Sequence, residues 1–225
     1  MFVALLVGGA VSSGPAGAQN PGAADYDATI YNLNAQFLAA AKRGDVERSV
    51  ALLDRGAMPN SRNRLGETAL MMFTKRGDLA MVRGLIDRGA DVNLAAVNRT
   101  TPLMAAALEG YVDIAVALVQ AGPRVDAEDQ LRKTPMVYAC GSGRTAIVAL
   151  LLSHGVEVNR RYAHDLTALM WAAGAGAKET VEVLLSRGAD ATHRDDRGLS
   201  AGDIARRAGH AAVADLIDGS GAASR

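Results

Sequence analysis

One interval governs this sequence: thirty-three residues separate successive glycines at 44, 77, 110, 143, 176 and 209. A second glycine series keeps the same step through 56, 89, 122, 155 and 188, and a hydroxyl series runs Thr68, Thr101, Thr134, Thr167 and Ser200. Three combs in one phase define an internal repeat, so most of the 225 residues are copies of one supersecondary unit. Such a unit cannot bury its apolar face alone and must stack on its neighbours.

The copy Thr101-Pro102-Leu103-Met104-Ala105-Ala106-Ala107-Leu108-Glu109-Gly110 specifies a first helix. Thr101 is suited to cap its N-terminus, Pro102 stands where a missing N–H costs nothing, and Gly110 permits the left-handed conformation that closes a helix. A second helix follows with the apolar ridge Ile114, Leu118 and Val119, matched by Ile147, Leu151 and Leu152 in the next copy, and Gly122 and its equivalents stop it. Asp45, Asp78 and Asp113 fall at or near the starts of second helices, where the exposed N–H groups favour a carboxylate. Segments such as Gly89-Ala90-Asp91-Val92-Asn93 are turn-rich and lead to the next unit.

Thr-Pro-Leu at 101–103, Thr-Pro-Met at 134–136 and Gly-Ala-Asp-Val-Asn at 89–93, at this spacing, resemble the ankyrin-repeat family over residues 34–218. The resemblance implies an all-α solenoid of about six helix-turn-helix repeats joined by β-turn loops, near 34–65, 66–98, 99–131, 132–164, 165–197 and 198–218. One departure is systematic. Where that family carries a structural histidine, this chain has Met71, Met104, Val137 and Met170, which implies less stiff loops and no change of fold. The first and last copies turn polar, through Arg48 and Ser49 and through Asp203, Arg206, Arg207 and Asp215, as terminal caps should.

Outside the repeats, residues 2–11 form a short apolar run followed by Ala16-Gly17-Ala18, the pattern of a cleaved secretory signal over 1–18. No basic residue precedes the run, which departs from that pattern, and the run is too short to span a membrane. Export to the periplasm or beyond is the expectation, with no membrane span in the mature chain. Residues 19–33 are expected to form a flexible mature N-terminus and 219–225 a flexible tail.

Composition bears on chemistry. Lys plus Arg and Asp plus Glu are 24 each, so no net charge draws the chain to nucleic acid. With 49 % hydrophobic but only 4 % aromatic residues, the interior must be packed from Ala, Leu, Val and Met. Cys140 is the only cysteine, falls on an alanine position of a first helix, and is expected to be a buried core residue. The four histidines, at 154, 164, 193 and 210, show no metal-ligand spacing, and no glycine-rich phosphate loop with its lysine is present. No catalytic residue, metal site or cofactor site is expected.

What remains is surface. In such a stack the loop tips and the outward sides of the first helices line one concave face. By position it holds Arg64, Leu65, Glu67, Lys75 and Arg76, then Val97, Asn98, Thr100, Leu108 and Glu109. Gln130, Leu131, Lys133 and Ser142 continue it, with Ala163, His164 and Leu166 beyond. Tyr138 and Trp171 share one register position and are either a binding pair or filling between the helix layers. Lys42, Arg43, Arg64, Lys75 and Arg76 form a basic group toward the N-terminal end, interleaved with Asp45, Glu67 and Asp78.

The resulting expectation is a monomeric, non-enzymatic module that binds an unidentified protein partner through the concave face. Resemblance to small exported ankyrin proteins of bacteria implies support of another envelope protein, with a part in stress protection. A secreted factor acting on a host or neighbouring cell is the first alternative, and a ligand-binding or enzymatic site in the groove the second.

Overall fold

The computed structural model describes residues 21–222. Helix α1 (Pro21–Arg43) pairs with α2 (Val46–Asp54), α3 (Ala69–Arg76) with α4 (Leu79–Asp87), and α5 (Pro102–Glu109) with α6 (Val112–Gln120). The series continues with α7 (Pro135–Gly141) and α8 (Thr145–Ser153), α9 (Ala168–Gly174) and α10 (Lys178–Ser186), and α11 (Ala201–Arg207) and α12 (Ala211–Ala222). A single 3-10 turn, Ala163–Asp165, precedes α9. No strand forms among the described residues, and the one isolated β-bridge joins Arg194 to Ser200.

The hydroxyl comb starts the first helices. Thr68, Thr101, Thr134, Thr167 and Ser200 each accept the N–H three residues on, from Met71, Met104, Val137, Met170 and Asp203. Asp45 and Asp78 cap α2 and α4 in the same way, accepting from Arg48 and Met81. Asp113 does not; it sits inside the first turn of α6, behind Tyr111.

First helices pack in one row, α1 to α3 to α5 and onward to α11, and each also packs on its own second helix. Contacts α4 to α6, α6 to α8, α8 to α10 and α10 to α12 make the second row. The core between the rows keeps the sequence period. Phe37, Leu70, Leu103, Met136 and Leu169 are buried at one register position, and Leu52, Leu85, Leu118, Leu151, Leu184 and Ile217 at another. Cys140 is fully buried beside the Met136 sulfur, 3.7 Å away. Burial pushes its thiol pKa well up, so it is held as an unreactive thiol.

The two ends differ from the sequence expectation. Over 21–33 the chain is helical rather than irregular. Leu33, Phe37, Ala40 and Ala41 make a buried stripe at helical spacing, with Ile30 packed against the same core, so burial extends the helix backward. At the other end α12 runs through residues 219–222, and the Ser220 hydroxyl donates to the Ile217 carbonyl at 2.6 Å. The expected signal segment, 1–18, lies outside the described residues. The polar C-terminal copy closes on itself, with Arg206 bridging Asp203 and Asp218.

Candidate protein-binding face

Each loop between helix pairs rises to a tight tip spanned by a backbone hydrogen bond from its first residue to its last. These bonds are Asn63 N–H to Glu67 (3.0 Å), Ala96 to Thr100 (2.9 Å), Asp129 to Lys133 (3.0 Å), Tyr162 to Leu166 (2.8 Å) and Asp195 to Leu199 (3.0 Å). In three tips the first residue also fills the turn. The Asn63 side-chain oxygen accepts from Leu65 and Glu67, that of Asp129 from Leu131 and Lys133, and that of Asp195 from Arg197 and Leu199.

Neighbouring tips are tied to each other. Val97 N–H donates to Leu65 (2.8 Å), Gln130 to Asn98 (3.1 Å) and Asp196 to His164 (3.2 Å). Lower in the loops, Asp91 N–H donates to the Asn60 side chain, Arg124 to Asn93 and Asp190 to Asn159, each at 2.8 Å. These asparagines do the tying in a chain whose histidine positions hold the buried Met71, Met104, Val137 and Met170. Loops expected to be less stiff are thus hydrogen-bonded across units. The signal for them was present, since Asn60, Asn93 and Asn159 keep the repeat register.

Asp195 is buried at the floor of its tip, with Arg197 paired to it at 2.6 Å. Burial alone would raise its pKa, but the N–H groups of Leu199 and Arg197 and the Arg197 guanidinium outweigh burial and hold it below the usual carboxylate range. A carboxyl depressed by folding contributes stability above its unfolded pKa of about 3.9, and that contribution is lost as pH falls through the folded value. Asp195→Asn should therefore destabilise the protein at pH 7, with the gap to wild type closing toward pH 3; urea denaturation at both pH values measures it, and a gap independent of pH would sink the assignment.

Every residue expected on the binding face is exposed or half-buried. Arg64, Lys75, Arg76, Asn98, Glu109, Gln130 and His164 are exposed; Glu67, Thr100, Lys133, Tyr138, Ser142, Leu166 and Trp171 are half-buried. Exposed large apolar side chains gather here: Leu65 (64 %), Val97 (64 %) and Leu131 (69 %) at the tips, and Leu108 (44 %) at the end of α5.

Contacts tie tips to first helices. Lys75 pairs with Glu67 at 2.6 Å; burial would raise the Glu67 pKa, but Lys75 and Asn63 hold it below its ordinary value. The Tyr138 hydroxyl donates to Asp129 at 2.6 Å, and burial together with that carboxylate pushes its pKa up to about 12. The Lys133 ammonium lies over both rings of the aromatic pair, 5.6 Å from the Tyr138 centroid and 5.3 Å from that of Trp171. Both rings pack against the core with one side free, so they fill the helix layers and line the face at once. Beside Trp171, where Gly141 and Gly174 carry no side chain, a cavity of about 340 Å³ opens toward Leu166, Ile204 and Arg197.

The basic group does not act as one. Lys75 is neutralised by Glu67 and the Arg76 guanidinium caps the Lys42 carbonyl, whereas Arg64 has no partner. The histidines are scattered: His164 pairs with Asp196 at 3.0 Å on the surface, His193 meets the Asp165 carbonyl, and His154 the Leu150 carbonyl. Among the described residues no three His, Cys, Asp or Glu side chains are grouped to hold a metal, and no helix is long and apolar enough to cross a membrane.

A second cavity of about 490 Å³ escaped the sequence expectation. Tyr31, Leu38 and Met58 line it with Arg62 and Arg64, and its α1 wall includes Tyr31, ahead of residue 34 where the first repeat was expected to begin.

No curated protein matches this sequence closely enough to count as a relative. A family model described as ankyrin repeats (3 copies) matches residues 37–129 and again 117–195. Those spans take in most of the stacked helix pairs, their capped first helices and their linked loop tips, an arrangement of the kind that binds other proteins: the chain belongs to the ankyrin-repeat family.

Proposed function

We propose that this protein is a non-enzymatic, monomeric binding module, exported from the cytoplasm, that holds a partner protein against its loop tips and first helices in support of the cell envelope. One observation carries the binding surface. Leu65, Val97, Leu131 and Leu108 expose apolar surface along a single line of hydrogen-bonded tips and the adjoining helix end. The tips are already ordered by the bonds described above, so little backbone freedom is lost on binding. The half-buried Tyr138 and Trp171, bridged by Lys133, supply the aromatic anchors that dominate such interfaces.

The test is crosslinked capture from native cells with wild type and a Leu65→Asp, Leu131→Asp double variant. Both positions are exposed, so the variant should melt with wild type, which circular dichroism verifies. A partner enriched by wild type and lost by the variant is the expected result; identical partners with both would remove the tips from the interface. The same preparation tests export. An intact mass beginning at Gln19 is expected, and an unprocessed chain in the cytosol would overturn it.

A further inference from the structure

The first loop tip lacks a neighbour that later tips have. Val97 N–H donates to the Leu65 carbonyl of the tip before it, and Gln130 and Asp196 do the same in their turn, whereas Ala163 makes no such bond to Leu131. In register with Val97, one repeat earlier, stands Arg64, whose N–H makes no hydrogen bond. The residue that would face it, in register with Leu65, is Asn32, and it lies within α1.

A second tie shows what α1 does in place of a preceding loop. Asp91 N–H is held by the Asn60 side chain; in register with Asp91 stands Met58, whose N–H is held at 2.7 Å by Asn34 of α1. The helix thus replaces one of the two inter-loop ties and leaves the other vacant. Between α1 and the first tip lies the cavity of about 490 Å³, within the range of small-ligand and side-chain pockets. Its wall is apolar at Leu38, at Tyr31 (78 % exposed) and at Met58 (56 % exposed). Among the described residues no acidic side chain lines it, and of its two arginines Arg62 is engaged with the carbonyls of Gly66 and Ala95 while Arg64 is unengaged.

We propose that this open end receives an extended segment of the partner protein carrying an acidic residue beside an apolar one. A main-chain carbonyl of that segment accepts the Arg64 N–H, filling the rung that a preceding loop would fill. The acidic side chain pairs with the free Arg64 guanidinium, and the apolar side chain enters the cavity against Tyr31, Leu38 and Met58. The charge of the site selects the occupant, since an unpaired cation in a cavity that no described carboxylate lines disfavours a basic segment. The proposal rests on the reading of the protein as a binding module and names the chemistry of its partner at one end of the face.

The experiment selects a phage-displayed library of linear random peptides on the full protein and resynthesises the enriched sequences. Acidic peptides with an adjacent apolar residue are expected, with affinity weakened by about tenfold or more in Arg64→Glu, the loss expected for one charge-assisted hydrogen bond. Arg64 and Met58 are exposed, so Arg64→Glu and Met58→Asp should melt with wild type, and both should weaken binding. Hydrogen exchange adds a backbone readout: the Arg64 amide should slow on peptide saturation, while binding that leaves it fast would overturn the rung. Peptides indifferent to Arg64→Glu but lost in Leu131→Asp would overturn the proposal and leave the binding-module reading intact. A library that enriches nothing would overturn it too, with the capture experiment still deciding the wider reading. Sedimentation showing a wild-type dimer that Arg64→Glu dissolves would assign the slot to a second copy instead.

Discussion

Replacing Phe73 by alanine is expected to lower the free energy of unfolding by about 3–5 kcal/mol, the range for removing a buried phenyl ring. Phe73 is fully buried in α3, which packs against α1, α4 and α5. At the same register position the other units carry Ala40, Ala106, Ala139, Ala172 and Ala205. That comparison sharpens the argument: an alanine is compatible with the architecture, yet here the surrounding helices are spaced around a ring, so its loss leaves a void unless they close in. A measured loss under about 1 kcal/mol would mean that the stack collapses to the spacing of its alanine-bearing units. Because a repeat stack is held by nearest-neighbour interfaces, the same variant should also broaden or split the urea transition, as the units on either side of α3 begin to unfold separately.

Gly110→Val should cost about 2–3 kcal/mol, from two separable sources. The first is conformational, because Gly110 closes α5 at φ 87°, a left-handed geometry that a β-branched residue strongly disfavours. The second is steric. A Cβ at Gly110 would stand 2.8 Å from the Arg144 side chain, whose Nε donates to the Leu108 carbonyl at 3.2 Å, so the arginine would have to leave that bond. Gly122→Val separates the two, since Gly122 has φ 78° but nothing within 4 Å of its Cβ. The difference between the variants in urea denaturation measures the Arg144 contribution; equal losses would show that the arginine swings aside without cost.

Much of the fold was legible because repetition multiplies weak signals. A single hydroxyl residue before an apolar run is a modest cap signal, but four threonines and a serine at one interval specify five helix starts, and all five accept the expected N–H. Asp113 shows the limit of the same reasoning. It is close enough to a helix start to look like a cap, and only backbone geometry puts it inside the first turn, with Tyr111 at the cap position and no side-chain cap hydrogen bond. The candidate face was legible as positions and not as contacts. Sequence placed Lys75, Glu67, Tyr138 and Trp171 on one side of the stack, whereas the pairing of Lys75 with Glu67 and the seat of Lys133 over two rings depend on how tip and helix approach.

The N-terminal end was misjudged for a physical reason. Residues 19–33 break the thirty-three-residue register, so the repeat argument is silent there, and their composition suggested a flexible lead-in. Helix formation over 21–33 comes instead from Leu33 and Phe37 burying against the first units, a gain that exists only once those units are stacked. The free Arg64 rung and the cavity beneath Tyr31 follow from that packing and could not have been located without it.

By itself, then, the sequence determined the repeat length, the helix starts and stops, the buried registers and the positions that face outward, because each is set by interactions within a unit or between identical neighbours. Tertiary structure alone decided what happens where periodicity ends or unlike side chains of different units meet: the long first helix, the partners of each arginine and the cavities at Gly141 and at Tyr31. Local propensity and spacing repeat along the chain and can be counted; packing at an end, or between unlike side chains, depends on a geometry that occurs once.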